Sequence, residues 1–203
     1  MIYVGDLSRE DAQLLARLAR DAGRILEFGV GGSTQIFAQA APSYARIISL
    51  ETEALWISKT EAVLEALGRR SMVEFRRYAN WAAAPPAVPA EYDLIFDDGV
   101  AELRMDFARK AWPSLKIGGA LLFHDTRRRA DARNVFDFCN EHHLEVESVA
   151  VNAASSNLSV VRKKIAQPYV DWNKAEGRTK LMMGYGSIDE TVALVRTRLG
   201  EGR

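Results

Sequence analysis

The stretch Ile25-Leu26-Glu27-Phe28-Gly29-Val30-Gly31-Gly32-Ser33-Thr34 decides the fold. It passes from a short, nearly continuous apolar run into glycines and then opens a segment, Thr34 to Ala40, that reads as a helix. A strand covered on both faces shows such a run in place of alternation. Strand, glycine turn and helix N-terminus together make a site for a nucleotide-like ligand. The turn lets backbone approach the ligand, and the unpaired N–H groups of the first helical turn attract negative charge. Working outward, the next strand, Ala45 to Leu50, ends at Glu51, 22 residues beyond Gly29. An acid at about that spacing accepts ribose hydroxyls in nucleotide-binding folds. Against the pattern G-x-G-x-x-G, Gly29 and Gly31 fill the first two places and Thr34 the third. Loss of the third glycine argues against NAD or FAD and favours a smaller ligand. The plain alternative is an ordinary βα turn with no ligand.

On the N-terminal side, Ser8 reads as a helix N-cap with Asp11 in the capping-box position, an acid shorter than the Glu or Gln that box prefers. Leu14, Leu15, Leu18 and Ala19 follow with helical spacing and Gly23 closes the segment. On the C-terminal side a helix is expected over Lys59 to Leu67 and a strand over Met72 to Phe75. The stretch Asn80 to Ala90 holds Pro85, Pro86 and Pro89 and reads as a surface loop. A strand over Tyr92 to Phe96 ends at Asp97-Asp98-Gly99. Leu115 to Gly119 reads as a turn with paired glycines. The strand Ala120 to Phe123 then delivers His124 and Asp125. A helix over Asp131 to Glu141 and strands over Leu144 to Val149 and Leu158 to Val161 complete the order. Strands alternating with helices predict a mainly parallel sheet with helices on both faces. The last two strands have no helix between them, so they must be antiparallel.

The 203 residues suit one domain with a sizeable core, 48% of them apolar. Lys plus Arg and Asp plus Glu each number 27, so no net field recruits nucleic acid or an anionic membrane. Arg127, Arg128, Arg129 and Arg133 form a local basic cluster, read either as a solvated helix start or as a contact for an acidic substrate. Cys139 is the only cysteine, which excludes an internal disulfide and agrees with a reducing compartment. Met1 to Asp6 lacks the basic start and apolar run of a secretory leader, and no window spans a membrane. A cytoplasmic protein is the expectation. The tail, 166–203, carries several aromatics and a helix expected over Ser187 to Leu199; an apolar tail of this kind would favour a homodimer.

In open α/β sheets ligands bind outside the carboxyl ends of the strands. Four such ends here carry polar groups: Glu27 to Gly32, Glu51, Asp97 with Asp98, and His124 with Asp125. Glu27 either braces the glycine turn or meets a ligand amine. Glu51 is the ribose acceptor, and Asp97 either lies past the strand or lines the pocket. Asp98 and Asp125 are two carboxylates from one sheet edge, and oxygen ligands of that kind suit Mg²⁺ or Ca²⁺; the alternative is a pair of helix-capping acids. His124 is the histidine at a strand end and is read as the general base.

These motifs together resemble those of class I S-adenosylmethionine-dependent methyltransferases. Ile25 to Gly32 is similar to that family's first motif, Ile48 to Glu51 to its second, Tyr92 to Gly99 to its fourth strand, and Leu115 to Asp125 to its fifth. The resemblance covers about residues 10–165 and is similar in its His124-Asp125 ending to small-molecule O-methyltransferases of natural products or sugars. It implies a Rossmann-like three-layer α/β sandwich with a mostly parallel seven-stranded sheet and an antiparallel last strand. One methyltransferase domain over 1–203 is implied, with 166–203 as an extension of the core. It implies S-adenosylmethionine as cofactor, held by Glu27, Gly29, Gly31, Gly32, Ser33, Glu51 and Asp97. Catalysis would fall to His124, Asp98 and Asp125, with Mg²⁺ on Asp98 and Asp125 and a small-molecule oxygen as methyl acceptor. Two positions depart from the pattern: Ala101 stands where relatives often carry histidine, and Thr126 where catechol-type relatives carry asparagine. They motivate the alternative of a cofactor-binding partner or regulatory subunit without methyl transfer.

Overall fold

The computed structural model describes residues 1–80, 91–142, 157–164, the backbone of 149–151, and Val192, Ala193 and Arg196. Met1–Ile165 forms one compact unit and Ala166–Arg203 a second. The proline loop over 81–90, most of the expected strand before Val149 and nearly all of the expected tail helix lie outside the described residues. Val192, Ala193 and Arg196 are helical.

The first unit is built on a seven-stranded sheet of order β3-β2-β1-β4-β5-β7-β6. Its strands are β1 (Arg24–Phe28), β2 (Arg46–Glu51), β3 (Val73–Arg77), β4 (Tyr92–Asp97), β5 (Leu115–Phe123), β6 (Val149–Val151) and β7 (Ser159–Arg162). The pairs among β1 to β5 are parallel, and β7 runs antiparallel to both β5 and β6. The helices are α1 (Arg9–Ala19), α2 (Gly32–Ala40), α3 (Ala54–Ala66), α4 (Arg104–Ala111) and α5 (Arg129–Glu141). Side chains of α1, α2 and α3 pack on one face of the sheet around Ile25, Ile47 and Phe96, with Phe37 edge-on to Phe96. Phe107 of α4 and Phe138 of α5 cover the other face around Leu26, Phe28 and Phe123. Each large apolar side chain buried this way contributes roughly 1.5–3 kcal/mol, so the apolar runs of β1, β4 and β5 hold the layers together. Among the described residues no helix is long and apolar enough to cross a membrane.

Three local expectations needed correction. Leu115–Gly119 is part of β5 and not a separate turn: Tyr92 pairs with Leu115 but Leu94 with Ala120, so the extra residues form an irregularity in the ladder. Gly118 absorbs it at φ 85°, a conformation that other residues adopt with strain. Helix α3 begins at Ala54, five residues before the expected start. Its first turn carries Leu55 and Trp56 exposed, so apolar periodicity could not mark it. Helix α1 ends at Ala19, and Gly23 instead lies just ahead of β1, where its N–H donates to Asp93 Oδ2 at 2.8 Å. The N-cap is as expected: the Asp11 N–H donates to Ser8 Oγ at 3.0 Å.

The order of strands sets the site. From β1 the chain winds outward to β2 and β3, then returns to β4 on the other side of β1. The loops after β1 and β4 therefore diverge and leave a crevice between them, the usual ligand position in such sheets.

Candidate functional site

A cleft of about 830 Å³ opens at this switch point. Gly29 to Ser33 form its floor, Glu51 to Glu53 and Trp56 one wall, Asp98 to Val100 another, and Val4 to Leu7 a third. Gly29 sits at φ 97°, and a Cβ there would lie 2.9 Å from the Asp98 carbonyl oxygen. The turn must therefore be glycine on both steric and conformational grounds. A Cβ at Gly31 would meet nothing within 4 Å; it would stand in the open cleft and fill space that a ligand needs.

Glu27 does not face that cleft. It is fully buried and accepts hydrogen bonds from Ser33 Oγ, from Thr34 Oγ1 at 2.6 Å and from Ser49 Oγ at 2.7 Å. The Thr34 oxygen in turn accepts the Gly31 N–H at 3.1 Å. The residue that stands in place of a third glycine thus links the buried acid to the turn and fixes its shape. Burial outweighs the three hydroxyl donors and pushes the Glu27 carboxyl up to about 7. A ligand amine has no route to it, and hydroxyls brace it instead of backbone N–H groups.

Glu51 lies at the cleft wall. Its Oε2 accepts the Val30 N–H at 3.1 Å, and its Oε1 accepts the N–H groups of Thr52 at 2.6 Å and Glu53 at 3.0 Å. These bonds hold the carboxylate still and leave acceptor capacity on Oε2. Asp97 ends β4 with its side chain fully buried, and burial raises the pKa of its carboxyl well above the ordinary range. It lies beneath the site and is not among the residues that line the cleft.

Asp98, His124 and Asp125 do converge. His124 Nδ1 lies 2.7 Å from Asp98 Oδ1 and 3.8 Å from Asp125 Oδ1. Asp98 lines the cleft, whereas His124 is buried behind it. Burial disfavours the imidazolium, but the hydrogen bond and charge of Asp98, with the charge of Asp125, carry His124 above its ordinary 6.5. Asp125 sits at φ 59°, a left-handed position that Asp tolerates better than most residues. Burial works against its charge as well; Arg104, His124 and Arg128 overcome that and hold its carboxyl below the usual range.

Two residues of this site were not evident from sequence. Arg104, in the first turn of α4, is buried and spends all its nitrogens at the strand ends. Nε donates to Gly99 O at 3.1 Å, NH1 to His124 O at 3.0 Å and Asp131 Oδ1 at 2.9 Å, and NH2 to Asp125 Oδ2 at 3.0 Å and Asp98 Oδ1 at 3.4 Å. Asn157, just ahead of β7, donates from Nδ2 to Asp125 Oδ1 at 2.9 Å. The only hint of Arg104 is chemical: a set of acids at one sheet edge needs a cation. Of the basic cluster, Arg128 pairs with Asp125 Oδ2 at 2.8 Å from an exposed position.

Asp98, His124 and Asp125 offer ligand atoms within 4.8 Å of one another, a grouping able to hold a metal ion by ligand type. Arg104 shares the carboxylates of that grouping. Asp98 Oδ1 and Asp125 Oδ2 already accept from Arg104.

A parallel sheet with helices on both faces, a glycine turn at its switch point and an acid after the second strand define a Rossmann-like nucleotide-binding protein. Residues 26–126 match the family described as Methyltransferase domain, and the chain belongs to the class I S-adenosylmethionine-dependent methyltransferases. Solved structures with this fold include the O-methyltransferase from Bacillus cereus in complex with SAH (17% identity, TM-score 0.62, 78% of this chain and 83% of that one). The SAH-bound Podospora anserina methyltransferase PaMTH1 aligns at 18% identity and TM-score 0.62 over 78% of this chain and 80% of that one. The O-methyltransferase TomG from Streptomyces achromogenes, solved with SAM, aligns at 19% identity and TM-score 0.60 over 78% and 82%. Among curated proteins, the Multifunctional CCA protein of Burkholderia mallei is 29% identical over 132 residues, 61% of this chain. The match spans about a third of that protein's length, 32%.

Proposed function

We propose that this chain transfers a methyl group from S-adenosylmethionine to an oxygen of a small-molecule acceptor. The observation that carries the reading is the placement of Asp98, paired with His124, on the wall of the same cleft whose floor is the glycine turn. Bound there, the cofactor would supply an electrophilic methyl on a sulfonium. Glu51 would accept its ribose hydroxyls, Gly29 and Gly31 would let the backbone come close, and the N-terminus of α2 would face its carboxylate. Ser33 lines the floor, although its hydroxyl turns inward to Glu27. Glu27 and Asp97 shape the site from below.

The protein's chemical task is to align the acceptor hydroxyl with the methyl and take up its proton. The Asp98–His124 pair does the second. Asp98 presents a carboxylate to the cleft and takes the proton on an oxygen, while the imidazole behind it, donating from Nδ1 to Oδ1, holds that carboxylate in place. Asp125 and Arg104 fix the pair from the far side. These steps are carried by side chains of the chain itself. A base of this kind answers the departure at Ala101, which favours methyl transfer over a partner or regulatory subunit. The acceptor is not anionic, since the cleft is walled by Glu51, Glu53, Asp6 and Asp98 without a cation among its lining residues.

Two measurements test the reading. Calorimetry with S-adenosylhomocysteine should give one site per chain, weakened at least tenfold in Glu51→Ala. Methyl-tritiated S-adenosylmethionine, offered with a panel of hydroxylated small molecules, should label at least one of them. Absence of binding to either cofactor form would refute the reading.

A further inference from the structure

A buried guanidinium stands at the far side of the site. Arg104 is 4% exposed and reaches three carboxylates, Asp98, Asp125 and Asp131, together with the carbonyl oxygens of Gly99 and His124. Its planar fork suits this, since five donors in fixed directions can tie several oxygens at once. The tie spans the ends of β4 and β5 and the first turns of α4 and α5. Asp125 is completed by Arg128 and Asn157, so both its oxygens are occupied. Asp98 shares one oxygen, Oδ1, between Arg104 and His124.

We propose that Arg104 is the resident cation of this site, a positioning residue that holds Asp98 against His124 and makes the site independent of a divalent ion. The inference rests on the methyl-transfer reading for its meaning, though its binding test stands apart from it. In the wild-type chain three of the four carboxylate oxygens of Asp98 and Asp125 already accept hydrogen bonds, Asp98 Oδ1 and Asp125 Oδ2 from the guanidinium and Asp125 Oδ1 from Asn157.

The experiment titrates the full chain with Mn²⁺ and follows the free-ion electron paramagnetic resonance signal, with and without S-adenosylhomocysteine. The expected result is a signal equal to that of buffer alone, and a homocysteine-nucleoside affinity unchanged by EDTA. One-to-one uptake of Mn²⁺ that disappears in Asp98→Asn would overturn the proposal. The positioning claim is read separately by nitrogen NMR of the His124 ring. In the wild type the ring should be one tautomer with the proton on Nδ1. Arg104→Lys keeps the charge and loses the fork, and it should give a mixture of tautomers while the S-adenosylhomocysteine affinity stays within about twofold. An unaltered ring spectrum in that variant would refute the positioning role, and Arg104→Gln gives the same readout if the lysine chain does not fold. Failure of S-adenosylhomocysteine to bind the wild type would instead strike the methyl-transfer reading and leave the Mn²⁺ result to decide the role of Arg104.

Discussion

His124 and Asp98 join the ends of two neighbouring strands through one contact, Nδ1 to Oδ1 at 2.7 Å. The contact fixes which ring nitrogen carries the proton and gives a solvent-reaching carboxylate a buried support. It also ties the ionisation of the histidine to a group that lines the cleft.

That tie has a pH signature. A base accepts a proton only when deprotonated, so a raised pKa moves its working range to higher pH. In the wild type, NMR titration of the His124 ring should give a midpoint above the ordinary 6.5, because the hydrogen bond and charge of Asp98 overcome burial. In Asp98→Asn the opposing effect of burial is left, and the midpoint should fall below the wild-type value. An unchanged midpoint would separate the two residues and remove the basis for treating them as a unit.

Glu27 predicts a pH dependence of stability with the opposite sign to that of most paired acids. Its folded value is raised from 4.5 to about 7. The group therefore supports the fold fully below about pH 4.5, and that support is lost as pH rises through 7. A shift of this size corresponds to about 3 kcal/mol. Glu27→Gln keeps the shape without the charge. Its stability relative to wild type, measured by urea unfolding, should rise by roughly 2–3 kcal/mol between about pH 5 and pH 8. A constant difference across that range would mean that the hydroxyls of Ser33, Thr34 and Ser49 stabilise the carboxylate fully.

The two glycines of the turn should behave differently on substitution. Gly29→Ala places a Cβ 2.9 Å from the Asp98 carbonyl oxygen at a φ of 97°, and should cost about 1–3 kcal/mol of stability as well as ligand affinity. Gly31→Val meets only open space. It should leave the melting temperature within a few degrees and remove S-adenosylhomocysteine binding. Equal binding by Gly31→Val and wild type would show that the ligand lies elsewhere in the cleft.

Sequence reasoning reached the strands and the ends of strands because both leave local marks. Continuous apolar runs marked β1, β4 and β5, and acids at strand ends marked Glu51 on β2, Asp98 after β4 and Asp125 after β5. It did not reach Arg104 or Asn157, whose roles depend on contacts with residues distant in the chain: Arg104 meets Asp131 and Asn157 meets Asp11 through the fold. For Glu27 it left two roles open, bracing the turn through backbone N–H groups or meeting a ligand amine; the hydroxyls that hold it come partly from β2, at Ser49, and register is not visible in a single strand. The β5 irregularity was read as a turn because paired glycines mark turns and bulges alike. The exposed first turn of α3 was missed because helical periodicity is a mark of burial.

The segment ahead of α1 supplies one wall of the cleft through Val4 to Leu7, and α2 holds it in a strand-like manner. Gln35 accepts the Val4 N–H on Oε1 at 2.8 Å and donates from Nε2 to the Val4 carbonyl at 3.3 Å. One turn later, Gln39 accepts the Ile2 N–H at 3.1 Å and donates to the Ile2 carbonyl at 2.6 Å. Alternate residues of an extended segment thus meet glutamines spaced four apart on a helix, a match between the period of a strand and that of a helix face. Gly5 and Gly32 allow the close approach, since a Cβ on Gly5 would lie 3.2 Å from the Gly32 Cα. Gln35→Ala should release this wall while removing few apolar contacts. The expected result is S-adenosylhomocysteine affinity lowered about tenfold, near the 1–1.5 kcal/mol typical of such hydrogen bonds. The Val4 amide should exchange faster, and the melting temperature should change little. Gln39→Ala, farther from the cleft, should show the faster exchange at Ile2 with a smaller loss of affinity. If Gln35→Ala speeds exchange at Val4 and leaves affinity unchanged, the segment is packed beside the site without taking part in it.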